Sequence, residues 1–374
     1  MNILIIPNSF RGSLNTFEIA DIMEKAFVSV SNDFNVIKLP VSDGGDHTLQ
    51  TLLSVLGGEI KYTKVLNPLQ KLIEAPFGIT PENIGIIEMA CASGTKLLKH
   101  GELNPTTTTT YGTGQLIKTL LGYDCKKIII GIGGSATIDA GVGMLQALGI
   151  SFKDKSNNEI EFGGGNIGKI VNIDISNFDK RIYDCEIKVA CDVDNVLTGN
   201  NGAAKVFGSQ KGGSPEEIKI LDKNLEHFAT ITEKLLNKQI ANIKFGGAAG
   251  GIAASLYAFC DAKLVNGTDY ILDKINFQKH LKWADIVITA EGKIDKQTKR
   301  GKAPYGIAVR AKKEGKPVIA FAGQIFDNST EIFNGAYSFI NKPMDLKTAF
   351  SETKNLLFSS VKQIAKTIFT ISKL

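Results

Sequence analysis

Five short polar segments hold most of the residues able to do chemistry. Asn8-Ser9-Phe10-Arg11-Gly12-Ser13 joins a guanidinium to two hydroxyls. Ahead of a helix start, such a set makes an anion site, though it also suits a turn. In Ser42-Asp43-Gly44-Gly45-Asp46 two carboxylates flank two glycines, which fits a metal-bound phosphate, a diol or a tight turn. Gly131-Ile132-Gly133-Gly134-Ser135-Ala136-Thr137 lets backbone N–H groups approach phosphate oxygens, with Ser135 and Thr137 as added donors. Ala190-Cys191-Asp192-Val193-Asp194-Asn195 carries carboxylates at i and i+2, on one face if extended. One can serve as a base while the other holds a metal or orients a partner. The last segment, Ala290 to Thr298 running on to Pro304, mixes carboxylates, lysines and hydroxyls.

Gly131–Ala136 also fits G-x-G-x-x-A, a degenerate dinucleotide fingerprint. The acid expected roughly 20 positions later is Asp154. This keeps an NAD(P)-dependent oxidoreductase open as a reading. The Walker A pattern does not occur, which argues against a P-loop fold.

The composition narrows the class. A net charge of +5 without a long basic run argues against nucleic acid as a partner. The five cysteines are odd in number with no C-x-x-C, and the four histidines are scattered. Neither a zinc site nor a disulfide framework is suggested. Met1–Ile6 lacks a basic start, and no apolar stretch approaches the ~18–20 residues of a membrane helix. A cytoplasmic protein is expected. With 38 glycines in 374 residues, glycine stands at about 10% against a usual ~7%. The excess falls in bursts beside Ser, Thr and Asp.

The segments need elements to hold them. Asn2–Ile6 reads as a buried parallel strand. A helix follows from Thr16, capped by Asn15 with Glu18 completing a capping box. Asn35–Leu39 reads as a strand and Leu49–Leu56 as a helix. Near the other end come a strand at Asp285–Thr289, a polar loop at Ala290–Thr298, a helix over 304–314, strands at Pro317–Ala322 and Tyr337–Ile340, and a helical tail from Asp345 to Ile371. Lys126–Gly131 and Glu186–Ala190 are strands in the glycine-rich middle. The run Thr106–Thr110 reads as a partly exposed connection. Strand–loop–helix grammar at both ends predicts an α/β fold in which the two ends share one parallel sheet. The motifs then lie at strand ends, where open α/β sheets bind ligands.

Taken in order, Pro7–Ser13, Asp43-Gly44-Gly45, Thr109 to Gly114, Ile132 to Thr137, Cys191 to Asn195, Phe207–Gly212, Gly247 to Gly251 and Glu291–Pro304 resemble bacterial glycerate kinase. This is the non-P-loop family that phosphorylates D-glycerate with ATP. The resemblance covers nearly the whole chain. It implies a flavodoxin-like domain from both chain ends, residues 1–70 plus 285–374, and an inserted mixed α/β domain over 71–284. The chain has Asn8 and Arg11 where the family usually has Asp and Lys, and Ile138 where it has Asn.

The resemblance also implies site residues. A hydroxyl attacks the γ-phosphate of ATP with Mg²⁺, so catalysis is positioning and charge neutralisation. Asp192 is the expected base, with Asp194 as second choice or metal-side partner. Arg11, with Ser9 and Ser13, holds the glycerate carboxylate or the transferring phosphate. Asp43 and Gly44 join the substrate set, and Asp295 and Gln297 complete it from a facing domain that closes on binding. Gly133, Gly134, Ser135 and Thr137 cradle the nucleotide phosphates. Partners are then D-glycerate and ATP, with no nucleic acid and no membrane, and an oligomer is possible. The family points to the 2-hydroxyl as acceptor. Besides the oxidoreductase, a non-catalytic ligand sensor on the same fold is the remaining alternative.

Overall fold

The computed structural model describes all residues except 11, 296, 297, 299–301, 327, 328 and 374, and the side chain of His100. Thirteen strands are described. They are β1 (Asn2–Pro7), β2 (Asn35–Lys38), β3 (Glu59–Leu66), β4 (Leu72–Ile79), β5 (Ile84–Glu88), β6 (Lys127–Gly131) and β7 (Ser151–Lys153). β8 (Asn172–Asp174), β9 (Glu186–Cys191), β10 (Lys263–Asn266), β11 (Ile286–Ile294), β12 (Val318–Ile325) and β13 (Gly335–Ser338) complete the set. The chain divides into two compact units, Met1–Asp43 with Thr268–Leu374, and Gly44–Gly267.

The first unit is built from both ends of the chain around a five-stranded sheet ordered β13-β12-β11-β1-β2. Every neighbouring pair is parallel. Counted within the unit the order is 2-1-3-4-5, the doubly wound order that reverses direction between its first and third strands. That reversal lies between β1 and β11. β1 is buried along its length because both faces are covered. Ile3 and Ile5 join the cluster formed with the helices Thr16–Val28 and Thr353–Ile371. Leu4 and Ile6 alternate to the opposite face and are equally buried. The capping box forms as expected, Asn15 Oδ1 accepting from Glu18 N and Glu18 Oε2 from Asn15 N.

The second unit holds a six-stranded sheet ordered β10-β9-β6-β5-β4-β3, with β7 and β8 as a separate pair. β5, β6, β9 and β10 are parallel. β4 runs antiparallel to both β3 and β5. Residue 70 therefore falls inside the hairpin that joins β3 to β4, and both strands pair within this mixed sheet. The residue range 44–70 belongs here, and 268–284 belongs with the parallel sheet.

One element reading changes. β11 continues through Glu291 to Ile294, because Lys293 and Ile294 pair with Gln324 and Ile325 of β12. The polar Glu-Gly-Lys run is thus strand, not loop. The threonine run is a connection with Thr107 exposed and Thr106 half-buried, while Thr108, Thr109 and Thr110 are fully buried. Thr108 Oγ1 donates to Ala136 O at 2.9 Å. Among the described residues no helix is long and apolar enough to cross a membrane.

Candidate active site

In the mixed sheet, the strand ends of β5, β6 and β9 carry one cluster of polar groups. The loop after β6 is held from several sides. Gly133 N donates to Gly44 O at 3.0 Å, and Ala136 N to Ser93 O at 2.9 Å. A Cβ on Gly133 would stand 2.6 Å from Gly45 Cα and 3.0 Å from Asp192 Oδ2. Only glycine allows so close an approach, and it brings the Asp192 carboxylate against the loop. Gly44, at φ +97°, packs as tightly on Ala190 O. The N–H groups of Gly134 and Ser135 have no acceptor among the described residues. Such a concavity of backbone donors suits an anion.

Asp192 is half-buried and Asp194 exposed. Behind the loop, Asp139 is 1% exposed. It accepts from Thr110 N (2.9 Å), Thr110 Oγ1 (2.7 Å), Gly141 N (3.1 Å) and Gly143 N (3.4 Å). Burial still outweighs these donors and pushes its pKa up. Lys211 also lies behind the loop, donating to Ser135 Oγ at 2.5 Å and Thr137 O at 2.8 Å. Thr137 is wholly buried, and its hydroxyl has no partner among the described residues. Glu88, at the end of β5, caps the helix Thr48–Leu56 by accepting from Leu49 N at 2.9 Å. His47 supplies no side-chain cap there. Desolvation raises the Glu88 pKa to about 7. Asp46 pairs with Lys96 at 2.7 Å.

In the parallel sheet, the ends of β1 and β11 flank the reversal of strand order. Asn8 is buried, and its Oδ1 accepts from Ser9 N at 2.9 Å. Ser9 and Ser13 are half-buried. The Ser13 hydroxyl donates to Thr353 Oγ1 at 2.8 Å, which ties it to the C-terminal helix. Glu291 is 6% exposed. It pairs with Lys302 at 3.0 Å and accepts from Thr298 Oγ1 at 3.4 Å. Desolvation raises its pKa to about 7 against the pull of Lys302, and the nearby Asp43 carboxylate adds to the rise. Asp295 pairs with Lys293 at 3.0 Å. Arg11 and Gln297 lie outside the described residues.

The structure thus gathers Gly44, Gly133, Gly134, Ser135 and Asp192 in one unit. In the other, Asn8, Ser9, Asp43 and Asp295 lie at strand ends of one sheet or in the loops that continue them, and Glu291 lies within β11. Lys211, Asp139 and Glu88 were not singled out as site residues from the sequence. A dinucleotide role for the loop finds no support here. β6 is not the first strand of its sheet. Asp154 accepts from Ser156 N and Asn158 N and so closes its own turn.

A family model described as the glycerate kinase family matches residues 3–369. The chain is 43% identical to the glycerate kinase of Halalkalibacterium halodurans over 368 residues, 97% of each chain. It is 40% identical to the glycerate 2-kinase of Escherichia coli K12 over 373 residues, 98% of each. A glycerate kinase 2 crystal structure from Salmonella typhimurium LT2 superposes with a TM-score of 0.85 at 39% identity, covering 100% of both chains. The chain belongs to the glycerate kinase family, and the enzyme it forms is a glycerate kinase.

Proposed function

We propose that the chain transfers the γ-phosphoryl group of ATP to the 2-hydroxyl of D-glycerate, releasing ADP and 2-phosphoglycerate. The observation that carries this reading is the Asp192 carboxylate held against Gly133 in the glycine loop. A base and a phosphate cradle are thereby side by side. The 2-position is supported by the Escherichia coli relative, which is called a glycerate 2-kinase.

The substrate oxygen forms a bond to the γ-phosphorus, and the bond from that phosphorus to the β,γ-bridging oxygen breaks. The hydroxyl proton passes to Asp192. Gly134 and Ser135 offer backbone donors to the phosphates, Gly133 fixes the loop through its bond to Gly44 O, and Thr137 adds its place at the base of the loop. Arg11 and Ser9, with Ser13 beside them, supply donors for the glycerate carboxylate. Asp43, Asp295 and Gln297 accept from its hydroxyls.

Mg²⁺ fits the residues present. Among the described residues no three His, Cys, Asp or Glu side chains gather as a cage. A magnesium ion carried by nucleotide phosphates needs only one or two protein carboxylates. Asp194, exposed just past β9, is suited to that contact. When bound, the ion neutralises charge on the phosphates.

The test is to supply ATP, Mg²⁺ and D-glycerate, and to identify the product by phosphorus NMR. ADP with 2-phosphoglycerate is expected. 3-Phosphoglycerate overturns the position, and the absence of ADP overturns the donor.

A further inference from the structure

Among the described residues Lys211 is the one buried lysine, 3% exposed. An ammonium has three N–H donors. Two go to Ser135 Oγ and Thr137 O, and the third has no oxygen acceptor among the described residues. The Phe207 ring stands 6.0 Å from Nζ. The backbone fixes this placement. Lys211 ends a single 3₁₀ turn, Ser209–Lys211, and Gly212 follows at φ +91°. A Cβ on Gly212 would meet Leu103 O at 2.2 Å, so no other residue fits there without a shift. Gly250 also lies close to this carbonyl, where a Cβ would stand 2.0 Å from Thr137 O. The carbonyl that Lys211 binds therefore sits in a tightly packed position.

The electrostatics do not explain the lysine as a structural pair. Neither acid that acts on it, Asp192 or Asp139, is bonded to it. Asp139 is already satisfied by four donors from Thr110, Gly141 and Gly143. An ammonium buried without a bonded carboxylate is costly. The cost shows as a pKa pushed down to about 8 by desolvation. The chain keeps a destabilising cation directly behind a loop whose Gly134 and Ser135 N–H groups lack acceptors among the described residues.

We propose that Lys211 is the positioning cation of the Gly131–Thr137 loop. It ties Ser135 and Thr137 into one geometry and supplies the positive charge that a nucleotide polyphosphate meets there. This deepens the nucleotide reading of the loop and rests on it. Lys211 acts through the loop and through its field, not as a proton donor in the transfer.

The test compares the parent enzyme with K211M and K211R. Calorimetry gives the dissociation constants of ADP and adenosine, and steady-state kinetics gives KM for ATP and for D-glycerate. K211M replaces a buried charge by an apolar chain of similar length, so its thermal midpoint is expected to hold or rise. Its ADP affinity falls about 10- to 100-fold, its adenosine affinity stays within about twofold, and its KM for D-glycerate is unchanged. K211R recovers part of the ADP affinity. Equal ADP affinity in K211M and parent overturns the proposal. So does an equal loss for ADP and adenosine, the mark of a merely structural role. If K211M fails to fold, K211Q carries the test, because its amide can still donate but bears no charge. A K211Q that binds ADP like the parent overturns the proposal. A parent that binds no ADP fails the nucleotide reading and this proposal together. A parent that binds ADP, with K211M equal to it, fails this proposal alone.

Discussion

The two units build polar strand ends in different ways. The parallel sheet relies on topology, since its strand order reverses between β1 and β11. A doubly wound sheet opens a crevice at such a reversal without special packing. The parallel strands of the mixed sheet run β5, β6, β9, β10 with no reversal. Its cluster is made by close backbone approach instead, with Gly44 against Ala190 and Gly133 against Gly45 and Asp192. Each unit also buries a glutamate, Glu88 at the end of β5 and Glu291 within β11, and both are pushed to about 7. Glu291 has a bonded lysine, whereas Glu88 has a backbone N–H and the Cys91 thiol. The similar outcome says that desolvation, the largest cause in both, outweighs the choice of partner.

The sharpest way to break this comparison is Asp192→Asn. If the glycine-packed loop is where transfer occurs, kcat falls about 10²- to 10⁴-fold with little change in thermal midpoint. Asp194→Asn should instead raise the Mg²⁺ concentration needed for half-maximal rate. A larger kcat loss in Asp194→Asn exchanges the two roles. Next in size is Gly133→Ala, whose methyl would meet Gly45 Cα at 2.6 Å. It should cost about 1–3 kcal/mol in denaturant unfolding and raise KM for ATP. An unchanged KM would show that the loop does not depend on that approach.

The glutamates give a pH signature of about 3 kcal/mol each at most. Both are raised above the ordinary 4.5, so the folded state binds their protons more tightly than the unfolded chain does. The stability they contribute is whole below pH 4.5 and is lost as pH rises to about 7. Glu88→Gln and Glu291→Gln should each flatten the stability profile across that window in urea titrations. Lys302→Met sharpens the contrast. It should destabilise at pH 8, where Glu291 is ionised, and have little effect at pH 5. The smallest effect is expected from Ser13→Ala. Loss of the bond to Thr353 should cost about 1 kcal/mol and leave KM for glycerate unchanged. A large rise in that KM would make Ser13 a ligand.

Much of this was legible in the sequence because local chemistry and tertiary structure agree. The Asn15–Glu18 capping box, the apolar run of β1 and the glycine bursts each carry a signal within a few residues. What was hidden depends on burial, which residue type does not report. Glu88, Asp139 and Lys211 look like surface charges until the sheet encloses them. The bonds from Thr108 to Ala136 and from Thr110 to Asp139 form only after folding, so the burial of these threonines left no local signal. The end of β11 was missed for a related reason. Its polar residues pair with β12 far along the chain, and that pairing overrides their local preference.

The pairing of β1 with β11 joins Ile3 to Ile286 across most of the chain. A ribosome therefore makes the whole of Gly44–Gly267 before β1 can acquire its second neighbour. The mixed sheet closes over shorter separations and is expected to form first, during synthesis. Until residue 294 emerges, β1 and β2 wait as an apolar pair with an open edge, the state in which chains aggregate. Production of this enzyme should respond to translation rate and chaperone supply more than the stability of the finished fold suggests.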